Sequence, residues 1–477
     1  MASAYTVASA PGKVLLAGGY LVLEQCFSGL VVGTSARFYT GIRAAKGDPH
    51  IIRVSSPQFD AASWAYSAQA VDEELVFASL PTESQNKFVE TCLRFALMII
   101  QQRIESEIFN KVMETGLDVS IVGDNDFYSQ RPQLKAKQLP TTAEALASLP
   151  PFCHTQATLA TVHKTGLGSS AALTTSLVAA LFAHFKAVES LDYEDDRVLI
   201  HNVAQYVHCF AQGKVGSGFD VSAAVWGSHR YRRFNPAILS PIMKDDVDPS
   251  ALLQALDAHN KEWDNLVAPF TLPCGLELML ADIDAGSHTP TLVSKVLAWR
   301  KAKADEAIAL WDELGFFNDK VEEHFRDMEK AYAEDPATYE KALEICAQTK
   351  ASQWNDQASS NAVVQKLANL AKDFGRVRSL LQTMSTLSDV PIEPAEQTRL
   401  LDACMKLEGV VMAGVPGAGG FDAIFCIVLS EKAKESVYKL WETWQELNVC
   451  PLLCEADSRG IQTVDTTSVP KLAKVFA

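Results

Sequence analysis

The chain has 477 residues, 48% hydrophobic and 21% charged, with a formal net charge of −16. That length exceeds what one core supports and predicts two domains. The acidic balance argues against a general nucleic-acid partner, whose phosphates need a basic face, but allows an anionic small molecule held in a local basic pocket. The apolar run Leu173–Phe185 carries His184 and stops at Lys186, short of a membrane span. Met1-Ala2-Ser3-Ala4-Tyr5 has no basic stretch ahead of an apolar one, so no secretory signal is expected. Ten scattered cysteines, of which only Cys450 and Cys454 lie close together, make no zinc pattern and suit a reducing compartment. The expectation is a cytoplasmic protein of small-molecule substrates, with no membrane or nucleic-acid partner.

In chain order, Ser9-Ala10-Pro11-Gly12-Lys13-Val14-Leu15-Leu16-Ala17-Gly18-Gly19-Tyr20-Leu21-Val22-Leu23-Glu24 predicts a strand, a turn and a second element. Lys13 is either a lysine reaching solvent along a half-buried strand or a point charge for a substrate phosphate. Gly29 to Tyr39 is β-rich. From Asn86 to Ile104, Phe88, Cys92, Phe95 and Ile99 fall near one helical face. Leu117 to Ile121 alternates as a strand and ends in the turn Gly123-Asp124-Asn125-Asp126. Residues 131–156 read as an insert or long connection.

Thr158-Leu159-Ala160-Thr161-Val162 alternates, which predicts a strand leading into His163-Lys164-Thr165-Gly166-Leu167-Gly168-Ser169-Ser170-Ala171-Ala172 and the helical run behind it. A glycine- and serine-rich turn opening a helix offers unpaired N–H groups at the positive end of the helix dipole, a place for phosphate. The serines add hydroxyl donors or a magnesium ligand. The same residues also read as a tight turn with Ser169 or Ser170 as N-cap. Tyr193 to Phe210 is helical, with His201 and His208 two turns apart but no third ligand for a metal, so packing is the expected role. Gln212-Gly213-Lys214-Val215-Gly216-Ser217-Gly218-Phe219-Asp220 is a second donor-rich turn, whose Asp220 is either an N-cap or a carboxylate in a glycine-lined cleft. Ser228 to Phe234 is the most basic short stretch and reads as a solvated strand.

Residues 235–270, with Pro236, Pro241 and Pro249, lose periodicity and mark the expected boundary between domains 1–235 and 236–477. Leu276 to Ile283 alternates as a strand and runs into Asp284-Ala285-Gly286-Ser287-His288-Thr289-Pro290; Thr291 to Thr386 is nearly all helical. Predicted strands at Gly409–Ala413 and Ala423–Leu429 bracket Gly414-Val415-Pro416-Gly417-Ala418-Gly419-Gly420. Four glycines exceed what a hairpin needs and point to close approach of a ligand or of the other domain. Asp373-Phe374-Gly375 mimics a protein-kinase magnesium motif but lies in a helical pattern without its catalytic loop, and no Gly-x-x-x-x-Gly-Lys-[Ser/Thr] loop is present.

Taken in order, Pro11–Gly19, Gly166–Ala171 and Gly414–Gly420 resemble the three signatures of the GHMP small-molecule kinases, which include galactokinase, homoserine kinase, mevalonate kinase and phosphomevalonate kinase. Gly18-Gly19-Tyr20-Leu21-Val22-Leu23 stands where galactokinases and mevalonate kinases typically read Gly-Glu-His. With Ser35–Tyr39, Gly123–Gln130, Gln212–Asp220, Gly227–Phe234 and Gln397–Asp402, it resembles the phosphomevalonate-phosphorylating branch of long, fungal-like type. The resemblance covers almost the whole chain.

The resemblance implies an α+β, two-domain GHMP kinase fold: an N-terminal ribosomal S5 domain 2-like domain and a C-terminal ferredoxin-like domain with a helical insert, the active site between them. It implies ATP-dependent phosphorylation of (R)-5-phosphomevalonate to (R)-5-diphosphomevalonate, on the route to isoprenoids and sterols, with ATP and Mg²⁺. Carried over by position, Lys13 and Asp220 are the catalytic candidates, and Lys164, Gly166, Leu167, Gly168, Ser169, Ser170 and Ala171 form the ATP-phosphate loop. Ser170, or its neighbour Ser169, is the metal candidate. Gly19, Tyr20, Ser129, Gln130, Lys214, Ser217, Ser287 and Arg399 are the substrate-binding candidates. The glutamate that mevalonate kinase-like members use for magnesium is replaced here by His208 and Cys209. Alternatives are another GHMP kinase such as mevalonate kinase, the related diphosphomevalonate decarboxylase, or a non-catalytic ligand-binding protein of the same fold. A monomer is expected, with a dimer as the alternative.

Overall fold

The computed structural model describes residues 5–283, 289–357 and 361–476. Its strands are β1 (Thr6–Ala17), β2 (Ser28–Ala44), β3 (Ile51–Ser55), β4 (Ser63–Val71), β5 (Glu74–Ser79), β6 (Leu117–Gly123), β7 (His229–Arg232), β8 (Leu266–Pro269), β9 (Glu277–Ile283), β10 (Val410–Gly414), β11 (Ala423–Val428), β12 (Val449–Leu452) and β13 (Gln462–Thr463). The larger sheet runs β13-β1-β2-β6-β3-β4-β5, with β7 on β2 and β8 on β7; the smaller runs β10-β11-β9-β12. Pairing is antiparallel except between β3 and β6. This is the expected α+β architecture. The segment after residue 235 supplies the smaller sheet but also returns β8 and β13 to the larger one.

The helix Ser169–His184 lies on β1 and β2 and is covered in turn by the helices Lys87–Arg103 and Glu194–Gln212. Being enclosed on several sides, it is apolar nearly all round, from Ala171 and Ala172 to Leu177, Val178, Leu181 and Phe182. The helices Ala304–Glu334 and Ala362–Ser388 pair along an i, i+3, i+4 stripe in which Trp311, Leu314, Val321 and Phe325 are buried on the first, and Leu367, Leu370, Phe374 and Val377 on the second. The helices Ala395–Cys404 and Glu431–Thr443 complete the cover of the smaller sheet.

Three local expectations are corrected. Thr158–Val162 is a turn, closed by Thr161 Oγ1 accepting from the Thr158 amide at 3.1 Å, and only Lys164 makes an isolated bridge, to Tyr128. Leu159 and Val162, which made the alternation, are partly buried against the core, but from a turn and not from one face of a strand. The N-cap of the next helix is Gly168, not Ser169 or Ser170. Ser228–Phe234 is not solvated: β7 lies between β2 and β8, His229 and Tyr231 are fully buried, and Arg233 donates to the carbonyls of Leu23, Val215 and Gly216. Guanidinium groups here brace backbone, which their several fixed donors suit.

His229 shows how burial fixes a proton. Its Nδ1 lies 2.8 Å from the Gly227 carbonyl, which only accepts, so Nδ1 carries the hydrogen and Nε2 accepts from Ser222 Oγ at 2.7 Å. Burial holds the ring neutral and pushes its pKa down to about 4. Between about pH 4 and the ordinary histidine value the unfolded chain therefore binds more protons than the folded one, and this contribution to stability is lost as pH falls through that window. In urea unfolding across pH 4–7, wild type is expected to lose stability relative to His229→Gln as the pH drops, by roughly 3 kcal/mol in total; parallel pH curves would contradict the assignment.

Candidate active site

Pro11 has no N–H to give a sheet ladder, and the β1–β2 pairing shifts between Pro11 and Lys13. At this irregularity the central loop docks on the strand. The Lys13 amide donates to the Leu167 carbonyl at 2.9 Å, and Lys13 Nζ donates to the Gly166 carbonyl at 2.7 Å. Gly168 must turn the chain into the helix at φ +79°, and a Cβ there would fall 3.0 Å from Lys13 Cε. The helix then starts at Ser169, whose side chain bonds the Tyr128 hydroxyl, and its first N–H groups have no intrahelical carbonyl to bond.

Lys13 is half-buried, 5.3 Å from the centre of the Phe219 ring, and feels the carboxylates of Asp220 and Asp422. Burial lowers its pKa below the ordinary lysine value; the two carboxylates pull the other way without cancelling it. Beside it, Ser170 Oγ lies 3.1 Å from His208 Nε2, and the same nitrogen is 3.1 Å from Gln212 Nε2 and 3.9 Å from Asp220 Oδ2. Asp220 is the second residue of the helix Phe219–Trp226, whose N-cap is Gly218, so it is not the cap; its Oδ1 accepts from the Val221 amide.

Lys13 opens onto a cleft of about 850 Å³ including its mouth, lined also by Tyr20, Thr165, Gly166, Leu167, Ser217, Phe219, Leu280, Val293, Asp422 and Leu452. The glycine turn after β10 closes one end. Gly417 N donates to the Leu15 carbonyl, and a Cβ on Gly19 would meet the Gly417 carbonyl oxygen at 2.3 Å. Tyr20, at φ 64°, a value rare outside glycine, donates its hydroxyl to Ala418 O at 2.8 Å. The first and third glycine motifs thus approach each other as well as the cleft.

Of the sequence candidates, Lys13, Tyr20, Gly166, Leu167 and Ser217 line the cleft, Gly19 and Gly168 shape it, and Ser170 and Asp220 meet at His208. Ala171 is buried beneath the loop, while Lys164 is exposed on it, its pKa lowered by partial burial of its ammonium. Lys214 is exposed on the turn before Ser217. Ser129 and Gln130 are buried and engaged: Ser129 Oγ accepts from Arg131, and Gln130 Nε2 donates to the Asn125 and Tyr128 carbonyls. Arg399 is half exposed on the helix Ala395–Cys404, paired with Glu446 at 2.6 Å, and is not among the residues lining the cleft. Ser287 lies outside the described residues. Phe219 and Asp422 are not among the candidates; their one signal is position, Phe219 next to Gly218 and Asp422 two residues after Gly420, and His208 is expected from sequence only to pack.

Among the described residues no cluster of three or more His, Cys, Asp or Glu side chains converges as a metal cage. Magnesium that arrives on nucleotide phosphates needs only one or two protein oxygens. The Ser170 hydroxyl and Asp220 carboxylate, both beside one histidine nitrogen, are hard oxygen donors of that kind, so the donor set fits.

The family model for the GHMP kinases N terminal domain matches residues 149–228, and that for the GHMP kinases C terminal matches 364–445. The chain is 38% identical over 488 aligned residues to the peroxisomal phosphomevalonate kinase of Arabidopsis thaliana, covering 95% of each chain. To the phosphomevalonate kinase of Gibberella zeae it is 37% identical, covering 91% of this chain and 90% of that one. Among solved structures, Streptococcus pneumoniae phosphomevalonate kinase in complex with phosphomevalonate and AMPPNP superposes with a TM-score of 0.59 at 14% identity, covering 94% of this chain and 99% of that one. At that identity the likeness shows the fold.

The loop geometry makes a stability prediction. Gly168 and Gly213 both have positive φ, but a Cβ on Gly213 meets nothing within 4 Å whereas one on Gly168 meets the Lys13 stem. Gly213→Ala is expected to cost the left-handed penalty alone, about 1–2 kcal/mol, and Gly168→Ala measurably more in urea unfolding. Equal losses would mean that the contact with Lys13 adds nothing.

Proposed function

The chain belongs to the phosphomevalonate kinase family of the GHMP kinases, and from that premise we propose that its cleft transfers the γ-phosphoryl group of ATP to phosphomevalonate, giving diphosphomevalonate and ADP. The observation that carries the reading at the site is Lys13, which lines the cleft, is tied to the loop that opens a helix N-terminus, and feels the carboxylates of Asp220 and Asp422. Backbone N–H groups of the loop and the helix dipole hold the ATP phosphates. Phosphoryl transfer through a loose transition state asks for alignment and charge neutralisation rather than covalent help. The acceptor is itself a phosphate monoester with a second pKa near 6, largely dianionic at neutral pH, so it attacks without needing a base.

The harder task is bringing two anions together. Lys13 leaves the Gly166 carbonyl for the phosphates and neutralises the transferring group. Asp220 keeps Lys13 charged and in line; Ser170 and Asp220 would hold magnesium arriving on the nucleotide, whose positive charge would offset that of the phosphates. Tyr20, Ser217 and Val293 form the wall against which the acceptor's carbon chain packs. No helix among the described residues is long and apolar enough to cross a membrane. The proposed compartment is the cytoplasm and the proposed unit a monomer.

ADP release with phosphomevalonate but not mevalonate is the expected outcome; turnover on mevalonate alone would replace this reading with mevalonate kinase. Lys13→Met is expected to lower kcat about 10²–10³-fold, the range of a lost charge-stabilising group. Asp220→Asn is expected to raise the magnesium requirement, with kcat returning to within about tenfold of wild type at saturating magnesium, whereas a general base would leave a 10²–10⁴-fold loss that magnesium does not restore.

A further inference from the structure

We infer that His208 is a positioning residue that turns the Ser170 hydroxyl toward the nucleotide's divalent cation, doing through a hydrogen bond what a carboxylate at this position would do by direct ligation. The inference rests on the proposed nucleotide site and adds a role for a residue that the sequence places only in packing.

His208 is 3% exposed, in the last turn and a half of the helix Glu194–Gln212, where three helix ends meet. Its Nε2 faces Ser170 from the start of the helix Ser169–His184, Asp220 from the start of Phe219–Trp226, and Gln212 one turn further along its own helix. The Gln212 amide nitrogen, at 3.1 Å, is a donor only, so Nε2 presents its lone pair. The Ser170 hydroxyl, also at 3.1 Å, faces the same unprotonated nitrogen and donates to it, sharing the lone pair with Gln212. With its hydrogen committed to His208, the Ser170 oxygen has both lone pairs left for a cation. Asp220 Oδ2, at 3.9 Å, is beyond hydrogen-bond reach and stays available on the same side.

A rotating hydroxyl otherwise spends its hydrogen wherever a neighbour accepts. Fixing that rotor before the ligand arrives is the contribution. A neutral imidazole does so without adding a third anionic group beside Asp220 and Asp422, which would oppose two incoming phosphates.

The test is manganese binding to the protein–AMPPNP complex, titrated by electron paramagnetic resonance, with metal-free AMPPNP affinity measured in parallel. His208→Leu is expected to weaken manganese binding about tenfold, the usual scale for losing a partner of a metal ligand, and His208→Gln, which keeps an acceptor, to stay within about threefold of wild type. Ser170→Ala should weaken manganese at least as much, and His208→Leu added to it should have no further effect, since the histidine acts through that hydroxyl. Metal-free AMPPNP affinity should stay within about twofold of wild type in both His208 variants. Additive losses, equal losses in the Leu and Gln variants, or manganese binding indifferent to His208→Leu would each overturn the inference while the nucleotide site stands. A wild-type chain that holds no manganese on AMPPNP would overturn the functional reading and this inference with it.

Discussion

Lys13 holds the central loop twice, by its amide to Leu167 and by its ammonium to Gly166. The rest of the site depends on this double tether, because it fixes the distance between the cleft's cation and the N-terminus of the helix Ser169–His184. A proline that cannot donate and a shift in the β1–β2 ladder make the docking place. The gap left in β2 is filled from the far end of the chain: the Ser35 amide donates to the Glu455 carbonyl and the Asp457 amide to the Gly33 carbonyl. Residues more than 400 positions apart in sequence therefore support the same irregular strand.

An acidic protein that handles two anions must concentrate positive charge locally. It does so with a lysine and the partial charges of a helix start, while several arginines are spent on structure. Arg37 donates to Ser9 and to the Gly460 carbonyl, Arg131 pairs with Asp282, and Arg300 pairs with Glu24 over the face of Trp311. The division follows from side-chain chemistry: a planar guanidinium locks several acceptors in fixed directions, whereas an ammonium on a flexible stem can change partners. Burial makes Lys13 less basic than a free lysine, and Asp220 and Asp422 oppose that loss. The carboxylates thus help to keep the ammonium charged.

Part of the cleft's lining comes from the smaller sheet and the glycine turn that follows β10. Gly19 and Gly417 approach too closely for a side chain on the first, and Tyr20 is bent to an unusual φ to reach Ala418. Strain of this kind persists only where surrounding structure over-determines it. Here the paired helices Ala304–Glu334 and Ala362–Ser388 stand behind the turn and supply that support.

The α+β class, the long helical stretch and the strands on either side of the last glycine turn were legible in the sequence, because hydrophobic periodicity is a local property. Tertiary structure decided what local pattern leaves degenerate. Alternation at Thr158–Val162 looked like a strand but belongs to a turn, and the basic run Ser228–Phe234 looked solvated until β8 covered it. Ser129, Gln130 and Arg399 carry suitable chemistry, but their bonds to Arg131, to the Asn125 and Tyr128 carbonyls, and to Glu446 turn it elsewhere. Asp422 and His208 reach the site from segments roughly 200 residues apart, and only the packing of helix ends around Ser170 and Lys13 brings them there. A hydrogen bond's direction depends on what faces the group in space, and spacing along the chain does not encode it.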